Sequence, residues 1–225
     1  MSPLKKKIVL ITGASRGLGF QIAMRLAEKN LHLIITSRTV GALESLSDKI
    51  VASGSTVTIV PLDLTKEKDF QIVARSIYER FGVIDILIHS ASLAIPMAPI
   101  ETIQKSELIN FFQNTFMTQQ VIKMIDPLLK KNPSSLALFI QDTNEYRSNK
   151  FFGIYNANRS ASGEIIAALV KSNLLSLSLE QVSNDVGRKN IKILANQELD
   201  KVTSNLKNAE DMLLKGNQEL TELEV

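Results

Sequence analysis

The chain has 225 residues, 44% of them hydrophobic, enough for one sizeable core and a single α/β domain. Cysteine is absent and His32 and His89 are the only histidines, which excludes disulfides, thiolate metal sites and a cysteine nucleophile and supplies no histidine set for a metal. The net charge of +3 matches the Lys5-Lys6-Lys7 tip, a solvated end rather than a nucleic-acid surface, and no run nears the ~20 apolar residues of a bilayer span.

Ile8 to Ile11 reads as a buried strand that breaks at Thr12-Gly13 and resumes after Arg16 as a helical pattern of Phe20, Ile22, Ala23, Leu26 and Ala27. That helix is expected over Gln21 to Lys29, with Asn30 as its stop. Leu31 to Thr36 is a second strand, in which His32 is a structural residue. Leu43, Leu46 and Ile50 mark a helix over Val40 to Val51, closed by Gly54. Thr56 to Val60 is the third strand, and Thr65 is the expected cap of a helix from Lys66 to Phe81 with a stripe of Phe70, Ile72, Val73 and Ile77. Ile84 to Ile88 is the fourth strand. A long helix from about Lys105 to Lys131, with Pro127 near its end, leads to a fifth strand at Ser135 to Ile140.

Gln141 to Gly153 is polar and irregular, as expected where sites form at the carboxyl edge of a sheet. Tyr155 or Asn156 opens another long helix reaching about 184, with Ile165, Ile166, Leu169 and Val170 on one face, and Ile191 to Ala195 is a short sixth strand. Residues 196–225 are charged and helix-compatible, with a faint strand at Leu220 to Val225. Strands alternating with helices imply a Rossmann-like, doubly wound parallel sheet with helices on both faces and right-handed crossovers. One domain is expected over 1–225: a dinucleotide-binding half (1–90), a catalytic half (91–195) and a remodelled, shortened C-terminal segment (196–225). The short apolar stretch after the lysines is no secretory leader, so a soluble cytoplasmic protein is the expectation.

The strand, glycine turn and helix at residues 6–20 form the context of a dinucleotide fingerprint. Gly13 permits the sharp turn, Gly17 the approach of a pyrophosphate to the backbone, and Gly19 close packing of helix on strand. Thr12-Gly13-x-x-x-Gly17-x-Gly19 resembles the short-chain dehydrogenase/reductase family. The resemblance implies coenzyme contacts from the whole turn, Ser15, Arg16 and Leu18 included. An acidic residue after the second strand would favour NAD; here Ser37 and Arg38 stand there, and with Arg16 they favour NADP(H) over NAD(H) by charge-assisted hydrogen bonds. Asp63, with Leu64 beside it, matches the family position that accepts from the adenine amino group.

The pattern then departs from the family. Its Asn-Asn-Ala-Gly becomes His89-Ser90-Ala91-Ser92, whose small residues Ser90, Ala91 and Ser92 still line a coenzyme path, while His89 replaces a structural asparagine. Asn114 falls at the family's helix-kinking asparagine. The family's Tyr-x-x-x-Lys is Tyr155-Asn156-Ala157-Asn158-Arg159, with arginine for lysine. The family serine is replaced by Asp142 or Thr143, thirteen and twelve residues before Tyr155. By resemblance, Tyr155 is the acid, Arg159 its electrostatic helper, Asn114 a relay position and Asp142 or Thr143 the group that steadies the carbonyl. The Pro-Gly that follows the sixth strand becomes Asn196-Gln197, with Thr203 keeping a downstream threonine.

The expected function is an NADP(H)-dependent oxidoreductase that transfers hydride to or from a small carbonyl or alcohol substrate, with weakened catalysis. The alternative is a non-catalytic nucleotide-binding or interaction protein on the same scaffold. No nucleic acid, membrane or metal partner is expected. The resemblance implies a homodimer or homotetramer paired through the two long helices.

Overall fold

Five apolar runs become the parallel strands of one sheet in the computed structural model, which describes residues 6–27, 31–129, 131–132, 135–142, 150–171, 178–181 and 189–195. They are β1 (Ile8–Thr12), β2 (His32–Ser37), β3 (Thr56–Pro61), β4 (Ile86–His89) and β5 (Leu136–Asp142), side by side in the order β3-β2-β1-β4-β5. The helices between them are α1 (Gly17–Leu26), α2 (Val40–Ala52), α3 (Glu67–Phe81) and α4 (Lys105–Leu129), and α5 (Gly153–Lys171) follows β5.

Successive side chains of a strand point to opposite faces, and β1 and β2 are covered on both, so their middles are apolar runs, while the edge strand β3 alternates and is only partly covered. Val9, Ile11, Leu33 and Ile35 pack with Ile22 and Ala23 of α1 and Leu43, Leu46 and Ile50 of α2. Leu10, Ile34, Leu87 and Phe139 pack on the other face with Phe70 and Ile77 of α3, Val121 and Ile125 of α4 and Ile166 of α5. This is the doubly wound arrangement expected.

One residue, through its side chain and its main chain, fastens the amino ends of three neighbouring strands. The Asp85 carboxylate accepts from Ile8 N–H at 2.7 Å and from the Asn132 side-chain amide at 2.6 Å, while Asp85 carbonyl accepts from Leu136 N–H at 2.8 Å.

Several expectations are corrected. The first helix begins at Gly17, not Gln21, because the glycine turn feeds straight into it, and it ends at Leu26. Thr65 does not cap α3: its N–H and hydroxyl both donate to Asp63 Oδ1, at 3.0 and 2.7 Å, and Lys66 takes the cap position. Ile72 lies outside the buried stripe, being 69% exposed. The fifth helix starts two residues early, at Gly153, and stops at Lys171 rather than near 184.

The greatest departure is beyond that helix. β6 (Ser178–Gln181) runs parallel to β5 but lies outside β7 (Lys189–Ala195), which pairs antiparallel with both. The Ile191–Ala195 run is therefore the seventh strand, and the sheet is not parallel at this edge. An antiparallel return needs only a short connection, whereas a parallel one needs a crossover of a dozen or more residues. Asn30, Thr143, Asn196, Gln197, Thr203 and the 220–225 run lie outside the described residues.

Candidate functional site

The carboxyl ends of β1, β2, β3 and β4 open into a cavity of about 430 Å³, the size of a small-ligand cleft. The first turn is fixed from the side: Gly13 and Ala14 N–H donate to Thr36 carbonyl at 2.9 and 3.1 Å. Gly13 has φ +71°, and a Cβ there would lie 2.7 Å from the backbone of Ala91. A Cβ on Gly19 would lie 2.3 Å from the Gly13 carbonyl oxygen, so this helix can start beside its own turn only with glycine. Gly17 has φ +58° and open space around it. Arg16, at the helix start, makes no side-chain cap, so N–H groups of the first turn stay open to an anion.

Gly13, Ser15, Arg16, Gly17, Leu18, Ser37, Arg38, Asp63, Leu64, Ser90, Ala91 and Ser92 all line this one cavity. Gly19 is behind it, as packing. Ser37 hydroxyl accepts from Thr39 N–H at 3.2 Å, and Leu62 N–H donates to Ser37 carbonyl at 3.0 Å, which joins the β2 end to the β3 end. Arg16 and Arg38 are exposed at the rim. Burial pushes the Asp63 carboxyl up, but the two Thr65 hydrogen bonds and the Arg38 and Lys66 charges outweigh it and hold the group below its ordinary value.

Sequence reasoning missed Thr36, Thr39, Leu93 and Met117 on the same wall. Met117 sits one helical turn after Asn114, a spacing that could have flagged it. The Thr36 hydroxyl is buried with no hydrogen-bond partner among the described residues.

The other end is built from side chains. His89 is buried; its Nδ1 lies 2.7 Å from Thr12 Oγ1, which also accepts from Ala91 N–H at 3.3 Å, and its ring meets Phe139 edge-on. Burial first, then the nearby Arg159 charge, lowers His89 to about 4, so the ring is neutral at pH 7.

Asn114 faces the loop after β4. Its Oδ1 accepts from Leu93 N–H at 2.7 Å and Ser92 hydroxyl at 3.3 Å, and its Nδ2 donates to Leu93 carbonyl at 3.1 Å. Its main-chain carbonyl accepts the Thr118 hydroxyl at 3.2 Å. Asn158 bolts α5 to α4 by donating to Phe111 carbonyl at 2.8 Å.

Arg159 and Asn114 line a second cavity of about 20 Å³, together with His89, Thr118, Asn158 and Ser162. Ala91 and Ser92 form part of the wall of both cavities. The Arg159 guanidinium carbon is 5.2 Å from the Tyr155 ring centroid, and Phe152 meets that ring edge-on at 5.8 Å. Tyr155 lines neither cavity. The backbone of Asp142 ends β5 opposite Lys189.

The short chain dehydrogenase family model matches residues 7–172. A short-chain dehydrogenase of Penicillium roqueforti is 28% identical over 195 residues, covering 78% of this chain and 77% of that protein. An uncharacterized oxidoreductase of Listeria innocua is 33% identical over 104 residues, 46% of this chain and 42% of its own length. Among solved structures, an alcohol dehydrogenase of the archaeon Thermococcus sibiricus complexed with 5-hydroxy-NADP aligns with a TM-score of 0.68 at 25% identity, over 75% of this chain and 72% of that one. A metagenomic short-chain oxidoreductase in complex with NADP gives 0.69 at 20% identity, over 76% and 78%, a likeness of fold alone. A glycine turn opening α1, a parallel sheet wound on both faces and a family match spanning both halves of the sheet lead to one conclusion: the chain belongs to the short-chain dehydrogenase family of oxidoreductases.

Proposed function

We propose that this protein is an NADP(H)-dependent oxidoreductase that transfers hydride between the coenzyme and a small carbonyl or alcohol compound, with slow turnover. The observation that carries the reading is the large cavity, where the glycine turn, two rim arginines and a depressed carboxylate line one wall system. The residues fit the coenzyme. Open N–H groups of α1 and the positive-φ glycines suit a pyrophosphate, Arg16 and Arg38 suit a ribose phosphate, and Asp63 is an ionised acceptor for an adenine amino group.

When bound, NADPH supplies the hydride. Tyr155 donates its phenolic proton to the carbonyl oxygen as negative charge gathers there. Arg159, 5.2 Å from the ring centroid, favours the phenolate left behind. A guanidinium is a donor-only cation, so it helps by charge alone and passes no proton on. Asn114 holds the Ser92–Leu93 wall in place. Asp142 and Thr143 are the two positions from which a group steadying the carbonyl would come.

A second reading, a nucleotide-binding protein without turnover, is favoured by one observation: Tyr155 does not line the large cavity and Arg159 lines only the small one. NADPH consumption with a panel of ketones and aldehydes separates the two. Hydride transfer predicts turnover that Tyr155→Phe lowers about 100-fold or more, on the order of 3 kcal/mol of barrier. Tight NADPH binding with no consumption of any carbonyl would leave the second reading.

Pairing of copies through α4 and α5 is part of the proposal, supported by Ile109 and Phe112 of α4, 48% and 68% exposed. The cytoplasm is the compartment this reading assigns. Among the described residues no helix is long and apolar enough to cross a membrane.

A further inference from the structure

Phe151 is the one non-glycine residue with positive φ among the described residues, at +71°. A Cβ crowds the carbonyl in that conformation, so a bulky side chain there is an outlier and glycine or asparagine the usual occupant. The same Phe151 is 51% exposed. It therefore carries backbone strain and open apolar surface together, and neither helps the isolated chain fold. Strain of this kind persists where a function outside the fold retains it.

The position says which function. The next residue, Phe152, stands edge-on to Tyr155 at 5.8 Å, and its carbonyl accepts from Asn156 N–H at 2.8 Å, which ties the Phe151–Phe152 pair to the first turn of α5. Among the described residues, a Cβ on Gly153, which lies between this pair and Tyr155, would meet no atom within 4 Å apart from its chain neighbours and its own helix backbone. A phenyl ring offers area and no hydrogen bonds; it rewards a hydrocarbon surface and gives nothing to a hydroxyl-rich or charged one.

We infer that Phe151 is a specificity-determining residue whose ring covers the apolar body of the carbonyl substrate, so that the site takes alkyl or aryl ketones and aldehydes in preference to polyhydroxylated or ionised ones. This inference rests on the hydride-transfer reading above.

The test uses the full chain and three variants. Phe151→Gly and Phe151→Asn accept positive φ and remove the ring, while Phe151→Leu keeps an apolar group. The glycine variant is expected to raise Tm by about 2–4 °C through relief of strain. It should leave NADPH affinity within about two-fold and raise KM for 2-octanone about ten-fold, with kcat and the KM for dihydroxyacetone little changed. Asparagine should behave like glycine, and leucine should keep most of the 2-octanone affinity. Equal KM values for 2-octanone in wild type and both ring-less variants would overturn the inference, as would variants that alter only the sedimentation coefficient. Should wild type bind NADPH yet reduce neither of these compounds nor any other carbonyl of the panel, the hydride-transfer reading fails by itself. Calorimetric binding of 2-octanone to the NADP-loaded protein then decides Phe151: weakening in both ring-less variants supports the contact, and equal or absent binding rejects it.

Discussion

At the carboxyl ends of β1, β2 and β3 the site wall is largely backbone: a turn held by Thr36 carbonyl, glycines at positive φ, and the open start of α1. Beyond β4 the wall is side chains: His89 on Thr12, Asn114 on Leu93, Arg159 beside Tyr155. The two constructions tolerate change differently. A backbone wall is specified by the absence of Cβ atoms and breaks when one is added. A side-chain wall can be rewritten residue by residue, and on the proposed reading His89 and Arg159 stand where the family resemblance implies asparagine and lysine.

The sharpest way to break that comparison is Gly13→Ala. The added Cβ lies 2.7 Å from Ala91 backbone atoms and the residue must hold φ +71°. A loss of about 3 kcal/mol in a denaturant melt is expected, with NADPH affinity down more than ten-fold in a titration. An unchanged melt would mean that the β4 loop yields and the backbone wall is softer than described.

His89 tests the side-chain wall. Its pKa is about 4 in the folded chain against 6.5 when unfolded, so between those values the unfolded chain binds the extra proton. Stability from this group is complete above pH 6.5 and declines as pH falls toward 4, by on the order of 3 kcal/mol in all. His89→Asn should flatten that part of the stability–pH curve relative to wild type. Parallel curves for the two proteins would remove His89 from the account.

The smallest effect sharpens the comparison within the first wall. Arg38→Ala should weaken NADPH binding about ten-fold, some 1.4 kcal/mol, and leave NADH binding unchanged. Equal losses for both coenzymes would place Arg38 away from the ribose phosphate.

Much of this was legible beforehand because the central strands of the parallel sheet are covered on both faces and read as apolar runs. Leu43, Leu46 and Ile50 were readable in the same way, as a stripe that is now fully buried. Ile72 misled because its neighbours Phe70 and Val73 share the apolar character but not the helix angle. The antiparallel β7 was not legible: the direction of a short strand leaves no trace in its composition, only in the length of the connection before it. Thr65 shows another limit. It can serve a helix or its own Asp63, and the nearer carboxylate wins. Phe151 could not be anticipated at all, since φ is a property of the folded backbone and phenylalanine carries no sign of it.

Asp85 has a bearing on how such a molecule diverges. The single carboxylate that staples β1 and the residues before β5 is at the opposite end of the strands from both cavities. Replacement of a reactive group therefore leaves the fastening intact, and replacement at the fastening leaves the chemistry alone. A lineage with this plan can drift toward new substrates, or out of catalysis altogether, while its descendants continue to fold.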